Sequence, residues 1–238
     1  MSLVTNNCQS GIIPTRITLN VKYGYNSQAR MNYIHDSSDI YRRSFEIIKS
    51  EMNLDHLRPD LVVLVMRLIH ACGMTDIVAD ISAHENLVAV GREVLAAGKP
   101  ILCDTQMVAA GISRTKLHAK NPIICTLNEP EVKDIAKQIG NTRTAAALSL
   151  WIPYIEGAVV AIGNAPTALF RLLEMLDQGM PKPSIILGFP VGFVGAANSK
   201  AALAASTHNI PFITLHGRRG GSAITVAAIN ALAKGEDI

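Results

Sequence analysis

The sequence predicts an α/β protein: a three-layer α/β/α sandwich around a five-stranded parallel sheet, with helical material at the N-terminal side packed in front. Three observations carry this reading. Five short, β-rich apolar runs recur at 101–103, 123–126, 158–162, 184–188 and 212–215. Segments with helical spacing separate most of them. The runs are apolar throughout rather than alternating, so the sheet needs a cover on both faces.

The elements follow in order. Residues 1–30 are polar and Asn-rich without clear period, and read as an N-terminal extension with a mobile tip. The remainder, 31–238, reads as one α/β domain. Asp36, Ser37, Ser38 and Asp39 offer helix caps, and Ile40, Phe45, Ile47 and Ile48 follow at helical spacing. Pro59 suits a first helical turn and Gly73 a helix stop, which makes the apolar stretch between them a buried helix. Helices are expected at 85–97, 131–139, 142–150, 166–176, 199–205 and 222–233. Gly98-Lys99-Pro100 and Gly140 break two of them, and Asn141 or Thr142 caps a third. Crossovers between parallel strands should be right-handed.

Composition narrows the function. Of 238 residues, 49% are hydrophobic and 17% charged, so there is much to bury, part of it in a subunit interface. No stretch reaches the roughly 18 apolar residues of a membrane span. A net charge of +3 with 5% aromatics is no nucleic-acid footprint and better suits a small polyanionic ligand. Cys8, Cys72, Cys103 and Cys125 form no C-x-x-C pair, which speaks against a metal site. With no secretory signal visible, reduced thiols in a cytoplasmic protein are expected.

In such sheets ligands bind outside the carboxyl ends of the strands. Unusual residues gather there: Asp104 after the first run, Gly163-Asn164 after the third, Gly188 to Gly195 after the fourth, and His216 to Ser222 after the fifth. Glycines let backbone approach a ligand, and each loop feeds a helix N-terminus, where free N–H groups favour anions. Arg218, Arg219 and Ser222 add charge and a hydroxyl, so an anion site is expected at this edge. Arg143 stands in a first helical turn, against the macrodipole, which suggests a carboxylate ligand. Arg43 and Ser44 on the first helix could face the same anion. No G-x-G-x-x-G, Walker A, G-x-S-x-G or H-E-x-x-H pattern occurs, so nucleotide and hydrolase readings lose their usual support. His70 would end the buried helix. Its imidazole is either a core group bonded to a carbonyl or a proton donor and acceptor.

Taken together, several motifs resemble the precorrin-8X methylmutase family, including its cobalt-precorrin-8 counterpart. They are Ile40-Tyr41-x-x-Ser44-Phe45, Arg67-x-x-His70-Ala71-Cys72-Gly73, Pro100-Ile101-Leu102-Cys103-Asp104, and Gly140-Asn141-Thr142-Arg143 with its alanines. Gly163-Asn164-Ala165-Pro166-Thr167, Pro190-Val191-Gly192-Phe193-Val194-Gly195 and Gly217-Arg218-Arg219-Gly220-Gly221-Ser222 complete them. The resemblance runs from Tyr33 to Lys234 and leaves out the first thirty residues. It implies an isomerase of cobalamin biosynthesis that moves a methyl group from C-11 to C-12 of the macrocycle, giving hydrogenobyrinic acid or its cobalt form, cobyrinic acid. It also implies a homodimer that uses no added cofactor, with the active site near the subunit contact. His70 matches the family's proton donor and acceptor, and Ser44 and Arg143 match substrate contacts. Arg43, Asp104, Asn141, Asn164, Gly192, Phe193, Arg218, Gly221 and Ser222 complete the expected substrate set. The motifs are shared by the metal-free and cobalt branches. A tetrapyrrole carrier without catalysis is the alternative, and a nucleotide enzyme is a more distant one.

Overall fold

A computed structural model describes residues 31–52 and 57–234. The expected extension, residues 1–30, lies outside them, as does Cys8. The sheet has six strands: β1 (Ile81–Ala83), β2 (Ile101–Cys103), β3 (Ile123–Ile124), β4 (Val159–Ile162), β5 (Ile185–Gly188) and β6 (Phe212–Leu215). Their order is β1-β6-β5-β4-β2-β3. Five of them are the expected parallel strands. β1 is an addition: it lies antiparallel to β6, with Ile81 opposite Leu215 and Ala83 opposite Ile213, so the sheet is mixed rather than wholly parallel. Ile81-Ser82-Ala83 is half-buried at an edge and has a serine at its centre, so it leaves no apolar run of the kind that marks the other strands.

Side chains alternate across the central strands. Ile101, Cys103, Val159, Ala161, Ile185, Leu187, Ile213 and Leu215 face one core, shared with helices α2 (Pro59–Cys72), α3 (Leu87–Ala96), α4 (Gln106–Gly111) and α9 (Ser222–Lys234). Leu102, Val160, Ile162 and Ile186 face the other, under α7 (Pro166–Asp177), α8 (Ala196–Ala204) and Trp151. Helix α1 (Ser37–Glu51) packs outside α2 through Phe45 and Ile48, and a smaller pair, α5 (Val132–Ile139) and α6 (Arg143–Ala147), packs on itself and, through α6, against α7. The three layers are therefore as expected.

Local chemistry sets the ends that matter for the site. Pro59 occupies the first turn of α2, and Gly73 closes it in the left-handed region at φ 70°. The chain then forms a 3-10 turn, Thr75–Asp80, and enters β1 opposite the last residue of β6. The C-terminal end of α2, and His70 with it, is thereby delivered to the carboxyl edge of the parallel strands.

Candidate active site

Helix α2 presents His70 differently from the expectation. The imidazole is exposed, not buried. Helical geometry gives the reason. Val65, Met66, Leu68 and Ile69 turn into the core, whereas Val63, Arg67 and His70, at i, i+4 and i+7, share the wetter side. The half-buried Arg67 on the preceding turn was the available signal. The ring is nonetheless placed by contacts: it stacks on Phe45 with centroids 5.1 Å apart and meets Tyr41 edge-on at 5.4 Å. The Arg67 guanidinium lies over the same two rings, 4.9 and 5.0 Å from their centroids. Among the described residues neither His70 nitrogen has a hydrogen-bond partner, so both are available to a ligand.

Ser44 lies on the same helix as those aromatic residues, half-buried, and its hydroxyl donates to the Ile40 carbonyl at 2.7 Å. Arg43 is exposed, with its Nε 2.9 Å from Asp39. Arg42 bonds both Asp39 and Glu46, and the Arg42 hydrogen bond with the Arg43 charge holds the Asp39 carboxyl below its ordinary range.

At the centre of the edge stands Asp104, directly after β2. The strand order reverses between β2 and β4, because β3 lies to one side of β2 and β4, β5 and β6 extend to the other. This is where an open α/β sheet binds ligands. Here the protein's own carboxylate occupies the place. Asp104 is 1% exposed. Its Oδ1 accepts from the Gly163 N–H at 3.0 Å, and its Oδ2 from those of Asn164 and Ala165, both at 2.9 Å. Burial pushes its pKa up, and the three N–H groups pull it down without cancelling that push. Asp104 thus faces inward and braces the loop before α7, whereas the sequence suggested a substrate contact. The N–H groups expected to receive an anion there are already used.

The other loops converge on either side. Asn164 is exposed, and its carbonyl accepts from the Val191 N–H at 3.4 Å. Gly192, at φ 138°, donates to the Arg218 carbonyl at 3.0 Å, and Gly221 donates to the Phe189 carbonyl at 2.8 Å. These two bonds zip the loop after β5 to the loop after β6. Phe193 projects at 85% exposure with the Arg218 guanidinium 5.1 Å from its ring centroid. Ser222 is half-buried in the first turn of α9. Arg219 is not available to an anion: its guanidinium is shared between Asp76 at 2.6 Å and Asp80 at 2.7 Å. That clamp ties the loop after β6 to the turn that continues from His70, a link sequence spacing could not show.

Over the β4 side, Thr142 bonds Thr167 hydroxyl to hydroxyl at 2.8 Å, which fixes the start of α6 beside that of α7. Arg143 follows Thr142 and is exposed, donating to the Leu127 carbonyl at 3.1 Å and the Asn128 side chain at 3.4 Å. The Asn141 side chain accepts from the Thr142 N–H at 2.7 Å. The end of α2 with His70, the start of α6 with Arg143, and the loops carrying Asn164, Phe193 and Arg218 thus lie toward the same edge of the sheet. Such an edge offers guanidinium groups to carboxylates and aromatic faces to a flat conjugated ring.

Comparison with known proteins shows which family the chain resembles. The family model described as precorrin-8X methylmutase matches residues 39–235. A Pseudomonas aeruginosa protein named precorrin-8X methylmutase is 56% identical over 203 residues, covering 85% of this chain and 98% of that one. A Priestia megaterium protein named cobalt-precorrin-8 methylmutase is 35% identical over 191 residues, covering 80% and 84%. Among solved structures, a precorrin-8x methyl mutase from Thermus thermophilus superposes with a TM-score of 0.75 at 34% identity, over 83% of this chain and 95% of that one.

Proposed function

The chain belongs to the precorrin-8X methylmutase family, and on that premise we propose how its residues carry out the isomerisation that its relatives are named for in cobalamin biosynthesis. The reaction moves one methyl group within a macrocycle, from C-11 to C-12, with no net gain or loss of atoms. It asks the protein for two things: a firm grip on a flat ring rimmed with carboxylates, and a bias of the conjugated system toward migration.

His70 supplies the bias. Its imidazolium donates a proton to a ring nitrogen, the electron-poor framework favours the shift, and the same proton returns once the methyl has moved. General acid catalysis of this kind contributes roughly 10²–10⁴-fold. One observation carries the assignment: a histidine held against the touching rings of Phe45 and Tyr41, with neither nitrogen bonded to a described residue. Ser44, Arg43, Arg143, Asn141, Asn164, Arg218, Gly192, Gly221, Ser222 and Phe193 form the grip. Arg143 and Arg218 take peripheral carboxylates, and Phe193 lies against a face of the ring. Asp104 takes part only through the loop it braces.

The natural substrate is the metal-free macrocycle, precorrin-8X. The support is the gap between 56% identity to a relative named for that substrate and 35% to one named for the cobalt form. The working unit is a homodimer, whose second subunit covers the imidazole that a single chain leaves open.

The test is His70→Ala. It should bind hydrogenobyrinic acid with near-wild-type affinity, read as an absorbance shift on titration, while turnover of precorrin-8X falls by roughly two to four orders of magnitude. Near-normal turnover in that variant removes the role given to His70. Wild-type protein that binds the product yet never changes the substrate spectrum would be a carrier instead.

A further inference from the structure

One buried charge is not used by the reading above. Lys200 sits on the face of α8 that turns inward with Ala196, Ser199 and Leu203, and it is 0% exposed. Its ammonium donates to the Arg219 carbonyl at 2.5 Å. Burying an ammonium is costly unless it is bonded, and a methionine would fill similar space without that cost. Burial draws its pKa down to about 8, while the Asp80 carboxylate pulls the other way. The acceptor is informative. Arg219 is the residue whose guanidinium is held by Asp76 and Asp80. It is therefore gripped at both ends, by α8 through its carbonyl and by the turn after α2 through its side chain. Its neighbour Arg218 points outward over Phe193, and Ser222 begins α9 three residues on.

We propose that Lys200 is a positioning residue for the methyl shift: by holding the Arg219 carbonyl it fixes the turn that presents Arg218 and Ser222, and through the Asp76–Arg219–Asp80 clamp it steadies the segment that continues from His70. The proposal rests on the methylmutase reading. Lys200 touches no substrate and acts only through its neighbours. Two backbone bonds already join the loops at Gly192 and Gly221. Lys200 adds the only side-chain bond to this turn from α8 among the described residues.

Full-length Lys200→Met and Lys200→Arg variants test this, with kcat and KM for precorrin-8X measured beside thermal unfolding by circular dichroism. Lys200→Met should fold, raise KM about tenfold or more and lower kcat. Lys200→Arg, which restores a cationic donor, should recover most of both. A methionine variant whose folded fraction keeps wild-type kcat and KM overturns the proposal, and so does an arginine variant no better than methionine. Should the methionine variant fail to fold, Arg219→Gln decides, because it cuts the clamp and leaves Lys200 in place. A KM raised in the same direction supports the coupling, and a wild-type KM overturns it. Failure of the methylmutase reading would show separately, as wild-type protein without turnover.

Discussion

Asp104 illustrates what a single residue settles. A carboxylate after a parallel strand reads in sequence as a ligand contact, because ligands bind at that end. In the folded chain its two oxygens take three N–H groups of the loop before α7. The same loop would otherwise carry unsatisfied buried donors, each costing about 1–3 kcal/mol. Asp104→Asn keeps one acceptor but turns an amide NH2 toward a donor. It should lower the unfolding free energy by roughly 1–3 kcal/mol, measured from the denaturant midpoint, and Asp104→Ala should lower it further. An unchanged midpoint in Asp104→Asn would show that the loop does not depend on the carboxylate. His70 makes the converse case. Its motif singled it out as the candidate proton donor, but its exposure was not legible, because the helix reads as apolar nearly throughout. Only the 3.6-residue period, with Arg67 one turn earlier, puts the ring outside the core.

Among elements, what could be read in advance was what repeats. The five parallel strands and the caps at Gly73 and Gly140 follow from runs of apolar residues and from glycines at φ 70° and 62°. β1 and α4 were not legible: Ile81-Ser82-Ala83 is a half-buried edge segment with a polar residue at its centre rather than an apolar run, and the six residues of α4 give no helical period to detect. Nor was the seam between the loops after β5 and β6, which depends on contacts made only in the folded chain. Gly220 lies at its tightest point: a Cβ there would stand 2.4 Å from the Phe189 carbonyl oxygen and 2.7 Å from that of Pro190. Both neighbours are backbone, so neither can swing aside. Gly220→Ala should push the two loops apart, at about 1–3 kcal/mol of stability, and should weaken product binding because Arg218 and Phe193 ride on those loops. Calorimetry with a product titration checks both. Wild-type values would mean that the seam opens without consequence.

For the whole molecule, the sandwich brings loops from distant parts of the chain to one edge, but a single chain does not close that edge. Phe193 is 85% exposed and Val194 90%, and on α1 Ile40 and Ile47 face outward as well. His70 is open too, whereas a proton given to a ring nitrogen acts most strongly where water is excluded and charges are less screened. A symmetric second copy answers both needs, since a twofold interface covers the same patch on each subunit. Sedimentation velocity at micromolar concentration should therefore give twice the chain mass. His70 should react slowly with diethyl pyrocarbonate when dimer and substrate analogue are present, and faster as the protein is diluted toward single chains, followed peptide by peptide in a mass spectrometer. A monomer at all concentrations that still turns over substrate would leave closure to the substrate alone. The imidazole would then do its work under a lid made by the macrocycle and Phe193, and the exposed side chains of α1 would need another explanation.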